Sequence, residues 1–404
     1  MGDFFQNGTI TTLHDLCGRS TEALEKELVD FSALRPMGLV LPSLYSELQT
    51  EALPKIVAQL CQVPYLEEIV IGLDNASREE FEHAKRFFSV LPQRHRILWH
   101  DGPAMQQLDQ LLASEGLAPR ERGKGRNVWY CYGYLLASGR SDAVALHDCD
   151  IITYDRRMLA RLLYPVVHPS FNYHFCKGYY YRVSGEDRFG GRVSRLLVSP
   201  LIRALTMIYG PMSYLNYLDS FRYPLAGEFA MRADVMRAIR IPSDWGLEIG
   251  VLWEVKRNYT DASICQIDIA ERYDHKHNIL SKDDSTQGLN RMSTEIARVI
   301  FRKLATQGVV FSPEQFRTIK ATYFRTALDL LDQYNSDAVV NGLQLDRHQE
   351  EKTIEVFSQC IMAAGEQFLN KPMDVPFIPS WNRVLTAIPD FYQRISAAVE
   401  EDNS

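Results

Sequence analysis

Ala143-Val-Ala-Leu-His-Asp-Cys-Asp-Ile-Ile152 reads as a buried strand broken by two carboxylates, Asp148 and Asp150. Side chains alternate along a strand, so residues two apart leave the backbone on one side. Two carboxylates held that close repel unless a cation sits beside them. Hard oxygen ligands suit Mg2+ or Mn2+, and Mg2+ usually takes one or two carboxylates together with substrate phosphates. An isolated Asp-x-Asp is more often a strand end with two solvated acids, so its context decides. His147 points to the opposite face and reads as packing.

Working outward, Met37-Gly-Leu-Val-Leu41 is a short buried strand stopped by Pro42, and Leu44 to Leu60 has helical spacing. Glu67 to Asp74 is a strand ending in an acid, followed by a turn at Asn75-Ala-Ser77 and a helix through Phe88. Arg96-Ile-Leu-Trp99 is a third strand, and Gly123-Lys-Gly125 opens a helix from Asn127 to Ala137. Strands alternating with helices imply βαβ units and a mostly parallel sheet, whose ligands sit at the carboxyl ends of the strands. Pro42, Asp74, Asp148 and Asp150 all fall there, in one crevice. Ahead of this lies a polar lead-in, residues 1–35, with one amphipathic helix from Thr21 to Phe31 capped by Ser20 or Thr21.

Beyond residue 155 the pattern loosens. Tyr173 to Arg182 looks like an antiparallel strand, Val193 to Tyr209 a helix, Pro224 to Met231 a tight turn against the site, and Ser263 to Ile269 a strand. Trp245-Gly-Leu-Glu-Ile-Gly250 runs into a helix. From about Ser293 onward helices dominate, with breaks at Ser312-Pro313, Asn335-Ser336 and 372–379. This tail is expected to cap the fold or to join copies of it.

The chain has 404 residues, 46% of them apolar and 24% charged, as in ordinary globular proteins. A net charge of −7 argues against a nucleic-acid-binding or anionic-membrane surface. No window of membrane-spanning length is apolar throughout, and no basic-then-apolar leader opens the chain. Seven scattered cysteines with no Cys-x-x-Cys pair support neither a zinc knuckle nor a disulfide framework, and fit a reducing cytoplasm.

Three further segments carry chemistry. Gly123-Lys124-Gly125 combines exposed backbone N–H groups with a lysine, an anion site or a plain surface turn. Arg188-Phe-Gly-Gly-Arg192-Val-Ser194 sets glycines and two arginines before a helix, where Arg192 could clamp a phosphate or carboxylate in bidentate fashion. Its plainer reading is a basic loop with Ser194 as N-cap. In Tyr273-Asp-His-Lys-His-Asn278 an imidazole could complete a metal shell begun by the aspartates, although a lone histidine is more often structural. Glu248 is either a site acid or a solvated helix residue.

In this order, Leu-Pro42-Ser-Leu-Tyr-Ser-Glu47, Leu-Asp74-Asn-Ala-Ser, Gly-Lys124-Gly, Asp148-Cys-Asp150, Gly-Gly-Arg192-Val-Ser, Pro-Leu-Ala-Gly-Glu228, Trp-Gly-Leu-Glu248-Ile-Gly and Asp-His275-Lys-His together resemble the glucosyl-3-phosphoglycerate synthases. These are retaining GT-A glycosyltransferases. The similarity runs from about residue 36 to 282. It implies an α/β GT-A fold, Rossmann-like, with a mostly parallel sheet, helices on both faces and a helical C-terminal extension. The divisions it suggests are 1–35, a nucleotide-sugar half at 36–155, an acceptor half at 156–290 and the extension at 291–404.

The resemblance also implies roles. Pro42, Ser43, Leu44, Glu47, Asp74 and Lys124, with Asp148 and Cys149, would hold the nucleoside diphosphate sugar. Asp150, Asp148 and His275 would bind Mg2+ or Mn2+. Gly191, Arg192, Val193 and Ser194, with Glu228 and His277, would hold the acceptor, and Glu248 and Asp150 would serve catalysis. The implied partners are a sugar nucleotide, UDP-glucose, and a small anionic acceptor, 3-phosphoglycerate, in a cytoplasmic homodimer with no nucleic acid and no integral membrane contact. Three departures stand out: Tyr45-Ser46 where the family usually has Asn-Glu, Ser194 where Thr is usual, and His277 where Asn is usual.

Overall fold

Alternation along the strands divides the core in two. Leu39, Leu41, Ile69, Ile71, Ala143 and Ala145 pack on one side of a central sheet, while Val40, Val70, Val144 and Leu146 pack on the other. Each strand is apolar on both faces because helices cover both. The computed structural model describes residues 6, 8–119, 121–185, 187–243, 245–275, 288–372 and 377–404.

The strands are β1 (Thr11–Leu13), β2 (Met37–Leu44), β3 (Leu66–Asp74), β4 (Arg94–Trp99), β5 (Ala143–Leu146), β6 (Phe175–Tyr180), β7 (Phe229–Arg232), β8 (Ile241–Pro242), β9 (Ile264–Ala270) and β10 (Phe377–Ile378). Eight of them form one sheet in the order β1-β9-β6-β7-β5-β2-β3-β4. Only β7 runs against its neighbours, pairing antiparallel with β5 and β6. The chain moves outward from β2 through β3 to β4, then returns to place β5 on the other flank of β2. That reversal opens a crevice at the carboxyl ends of β2, β3 and β5.

Several elements differ from their sequence reading, each for a visible reason. Pro42 does not stop its strand: β2 continues through it to Leu44. The β5 ladder ends at Val40, so Pro42 lies where β2 has a neighbour on one side only and its missing N–H costs little. The Asp148/Asp150 segment is not strand. Pairing of β5 ends at Leu146, and the acids lie in the turn beyond it, so their proximity comes from the turn and not from strand alternation. The segment read as one helix from Leu44 splits into a 3-10 turn, Tyr45–Gln49, and a helix, Ala52–Leu60. The expected break at Asn335-Ser336 is absent. Helix Pro313–Val340 runs through it, with the Ser336 hydroxyl bonding back to the Asp332 carbonyl at 3.0 Å. Residues 193–198 form a π-helical turn that leads into helix Ser199–Tyr209.

The lead-in also belongs to the sheet, since β1 pairs in parallel with β9. Gln266 on β9 bonds the Thr12 hydroxyl at 2.9 Å. The division drawn at 290/291 falls within helix Gly288–Ala305. Helix Thr21–Ser32 begins at Ser20, whose hydroxyl accepts from the Ala23 N–H, and Ser77 caps helix Arg78–Phe88 with a full capping box.

The C-terminal extension is bound into the domain. β10 pairs antiparallel with β8. Helix Phe391–Asn403 lies against β4, the edge strand of the sheet. There the Asn403 amide bonds both the N–H and the C=O of Ile97, at 2.9 and 2.8 Å. Glu400 accepts from Arg96 at 2.8 Å, Arg94 at 3.0 Å and the Tyr134 hydroxyl at 2.6 Å. Burial alone would raise the pKa of Glu400, but these hydrogen bonds and charges win and hold it at about 2. Its stabilising contribution is therefore full above the unfolded carboxylate value of about 4.3 and is lost as pH falls toward 2. Glu400→Gln should lower the melting temperature at pH 7, by an amount equivalent to about 1 kcal/mol after allowing for its partial exposure. The two melting curves should converge on acidification, and a constant gap between pH 7 and pH 3 would contradict this.

Candidate active site

The ends of three strands supply the floor of a cleft of about 520 Å³, within the usual range for small-molecule sites. Pro42, Ser43, Leu44 and Glu47 line it from β2 and the 3-10 turn, and Asp74 from β3. Lys124 lines it from the helix Lys124–Ser138, and Asp148, Cys149 and Asp150 from the turn after β5. All of these were expected sugar-nucleotide or metal residues, and the fold brings them together. Asp74 is buried, and among the described residues its Oδ1 has no hydrogen-bond partner. Burial pushes its carboxyl above the usual range, despite the nearby Arg126 charge.

Lys124 is the hub. Its Nζ lies 2.6 Å from Asp148 Oδ1 and 3.0 Å from Glu248 Oε1. Burial opposes its charge, but the two carboxylates outweigh burial and hold its pKa above the ordinary lysine value. The same contact keeps Asp148 below the usual range against the effect of burial. Helix Lys124–Ser138 can approach this closely because Gly125 lies on the β8 backbone: a Cβ there would stand 1.8 Å from the Pro242 carbonyl oxygen. Asp150 makes no ion pair among the described residues, and burial together with the negative charge of Asp148 outweighs the nearby Lys124 charge and pushes it up to about 7. Gly227 packs under Asp148, where an added Cβ would meet Oδ2 at 2.3 Å, so the turn before β7 does press against the site.

Glu248, Glu228 and His275 stand behind the lining. Glu248 reaches the cleft through Lys124. Glu228 is wholly buried, accepts from the Tyr273 hydroxyl at 2.7 Å, and is raised by burial and by Asp148. His275 pairs with Ile151 in an isolated antiparallel bridge, which sets it beside the Asp148–Asp150 turn. Arg182 Nη2 lies 2.8 Å from His275 Nε2, and its guanidinium lies over the Tyr273 ring at 5.2 Å. His147, expected as packing, is fully buried edge-on to Tyr154 at 5.5 Å. His277 lies outside the described residues.

Gly191, Arg192, Val193 and Ser194 do not line the cleft. They lie beyond Arg182, whose carbonyl accepts from the Gly190 N–H at 2.8 Å. Gly191 has φ +75°, a conformation that favours glycine. Ser194 is buried with its hydroxyl unpartnered among the described residues, and Arg192 Nε bonds Glu350 Oε1 at 2.8 Å.

The sequence reading missed Arg122, Asn127, Trp245 and Arg291 on the cleft wall, and Lys177 beneath it. Lys177 had a local signal, a cation inside the apolar strand Phe175–Tyr180, and burial lowers its pKa to about 8. Arg291 comes from the extension and is placed by tertiary folding alone.

Among the described residues no three His, Cys, Asp or Glu side chains already form a metal cluster. Asp148 is held by Lys124, and His275 by Arg182. The donor set nonetheless fits a hard divalent cation, because two neighbouring half-buried carboxylates, one of them driven to about 7, are relieved by positive charge between them.

No family model matches the chain. It is 46% identical over 404 residues to glucosyl-3-phosphoglycerate synthase of Persephonella marina, covering 100% of both chains. It is 39% identical over 404 residues to glucosyl-3-phosphoglycerate synthase of Methanococcoides burtonii, covering 99% of this chain and 98% of that one. In fold it matches a crystal structure of the Mycobacterium tuberculosis glucosyl-3-phosphoglycerate synthase in complex with Mn2+, uridine-diphosphate-glucose and phosphoglyceric acid. That match has a TM-score of 0.54 at 20% identity and covers 75% of this chain and 89% of that one. Such a likeness bears on the fold alone, and that fold is the GT-A architecture. By its full-length similarity to both named relatives, the chain belongs to the glucosyl-3-phosphoglycerate synthase family.

Proposed function

We propose that the cleft binds UDP-glucose with Mg2+ or Mn2+, and that the enzyme transfers glucose to 3-phosphoglycerate with retention at the anomeric carbon. The observation that carries this is the half-buried group of Asp148, Asp150 and Lys124 at the strand ends, in a chain 46% identical end to end to a named synthase. Asp148 and Asp150, with His275 beside them, are the residues that would hold the metal. When bound, it would stabilise negative charge on the departing diphosphate.

Lys124 has two carboxylate partners and can turn its ammonium toward a phosphate arriving in the cleft. Glu248 keeps that ammonium charged and placed. Arg192, anchored through Nε, offers its other nitrogens to the acceptor's phosphate, and fixing the acceptor sets its hydroxyl against the anomeric carbon. Glu248 is engaged with Lys124, which fits an orienting role better than a covalent nucleophile. Attack then comes on the face of departure, with the leaving phosphate taking the hydroxyl proton.

Purified protein given Mg2+, UDP-glucose or other sugar nucleotides, and either glycerate or 3-phosphoglycerate, should yield glucosyl-3-phosphoglycerate by mass. Product only with mannose or only with free glycerate would replace this assignment. Arg192→Ala should raise the acceptor KM about 30- to 1,000-fold, from losing a charge-assisted contact of about 2–4 kcal/mol, and spare the donor KM. An equal loss of donor binding would place Arg192 elsewhere.

Among the described residues no helix is long and apolar enough to cross a membrane. Their cysteines are all free thiols, which supports a cytoplasmic setting. The homodimer suggested by the resemblance belongs to the same proposal, and sedimentation of the purified protein decides it.

A further inference from the structure

We infer that Glu350, on helix Arg347–Asn370 of the extension, is the positioning residue for the acceptor's anionic group. Its carboxylate is almost wholly buried, with 3% exposure. Oε1 accepts from Arg192 Nε at 2.8 Å, and Oε2 lies 2.9 Å from Arg195 Nη2. The two guanidiniums differ in what else holds them. Arg195 is buried, lies over the Phe189 and Tyr334 rings at 4.5 and 5.1 Å, and donates to the Gly190 carbonyl at 2.7 Å. Arg192 has Glu350 as its anchor, and its side chain is 42% exposed.

A guanidinium carries five N–H donors on a rigid plane. With Nε committed to Glu350, the Nη1 and Nη2 groups of this half-exposed side chain are left as a pair that can match two oxygens of a phosphate or carboxylate. One carboxylate shared by two arginines also leaves a positive charge over, so the loop remains attractive to an anion after Glu350 is bound. The extension fixes the same loop by its backbone. The Phe189 N–H bonds the Gln344 carbonyl at 3.0 Å, and the Gln344 N–H bonds the Asp187 carbonyl at 2.8 Å. Side-chain anchor and backbone stitching come from one turn and the start of one helix, so the extension sets the shape of the acceptor loop.

This rests on the reading that Arg192 takes the acceptor's phosphate, and the experiment separates the two. Steady-state kinetics of the full-length enzyme with Mg2+, UDP-glucose and 3-phosphoglycerate are compared for Glu350→Gln, Glu350→Ala and Arg192→Ala. Glu350→Gln keeps the side-chain length and one accepting oxygen, and so guards against misfolding from an uncompensated Arg195. It should raise the acceptor KM about tenfold, and Glu350→Ala should raise it further. kcat at saturating acceptor and the KM for UDP-glucose should stay within about twofold, a split that general loosening of the fold would not produce. The rise in melting temperature caused by 3-phosphoglycerate should shrink in the same order, a readout independent of turnover. An unchanged acceptor KM in Glu350→Gln beside a raised one in Arg192→Ala overturns the role of Glu350 alone. A lower acceptor KM overturns it too, by making Glu350 a competitor of the acceptor. If Arg192→Ala itself leaves the acceptor KM unchanged, the reading beneath falls and the inference with it.

Discussion

Asp150→Ala should abolish turnover, by about a thousandfold or more, while the metal-free protein melts no lower than wild type. The large effect on rate follows from the role assigned to Asp150, since charge stabilisation by a bound cation contributes several kcal/mol and about 4 kcal/mol is a factor of about a thousand. The absence of a stability cost follows from its environment. Burial and Asp148 push its carboxyl up to about 7, so the ionised form is a liability to the empty fold. With the folded value above the unfolded one near 3.9, the contribution of Asp150 is fully present below about pH 4 and is lost as pH rises through about 7. Alanine removes that loss. A proton and a cation also compete for the same oxygens, so stabilisation of wild type by Mn2+ should grow as pH rises through 7 and should be absent in the variant. Full activity in excess EDTA, or wild-type turnover in Asp150→Ala, would remove the metal from this account.

Lys124→Met should do the reverse to stability. Without its ammonium, Asp148 and Glu248 face each other and Asp150 in a poorly solvated cleft, and breaking a buried ion pair from one side costs about 3–5 kcal/mol. The metal-free variant should melt several degrees lower, and Mn2+ should restore more of that loss than it adds to wild type. Donor kcat/KM should drop about a hundredfold or more from losing the contact with the diphosphate. A methionine variant with normal metal-free melting and a normal donor KM would show that Lys124 is a bystander.

Local chemistry carried much of the fold and the cleft into the sequence. The strands around Leu39, Ile69 and Ile97 are continuous apolar runs, and the acids at 74, 148 and 150 interrupt such runs where a parallel sheet places its ligands. Other features depend on partners far along the chain. β1 is three residues long and makes sense only against β9. Pro42 reads as a stop in the sequence because its one-sided neighbourhood depends on where β5 ends. Arg182 and Glu350 look like ordinary surface charges until folding sets one against His275 and the other between two arginines. The helix through Asn335-Ser336 survives because the packing of Leu331 and Ala338 outweighs weak local propensity.

The grip of Asn403 on Ile97 joins residues 306 positions apart. During synthesis β4 is made long before its cover, so its edge hydrogen-bonding groups stand open while most of the remaining chain is added, a template for strand addition by another chain. The edge of the sheet is therefore covered late, when helix Phe391–Asn403 arrives. Shortening this helix should then show first as aggregation during expression, with the catalytic cleft itself untouched.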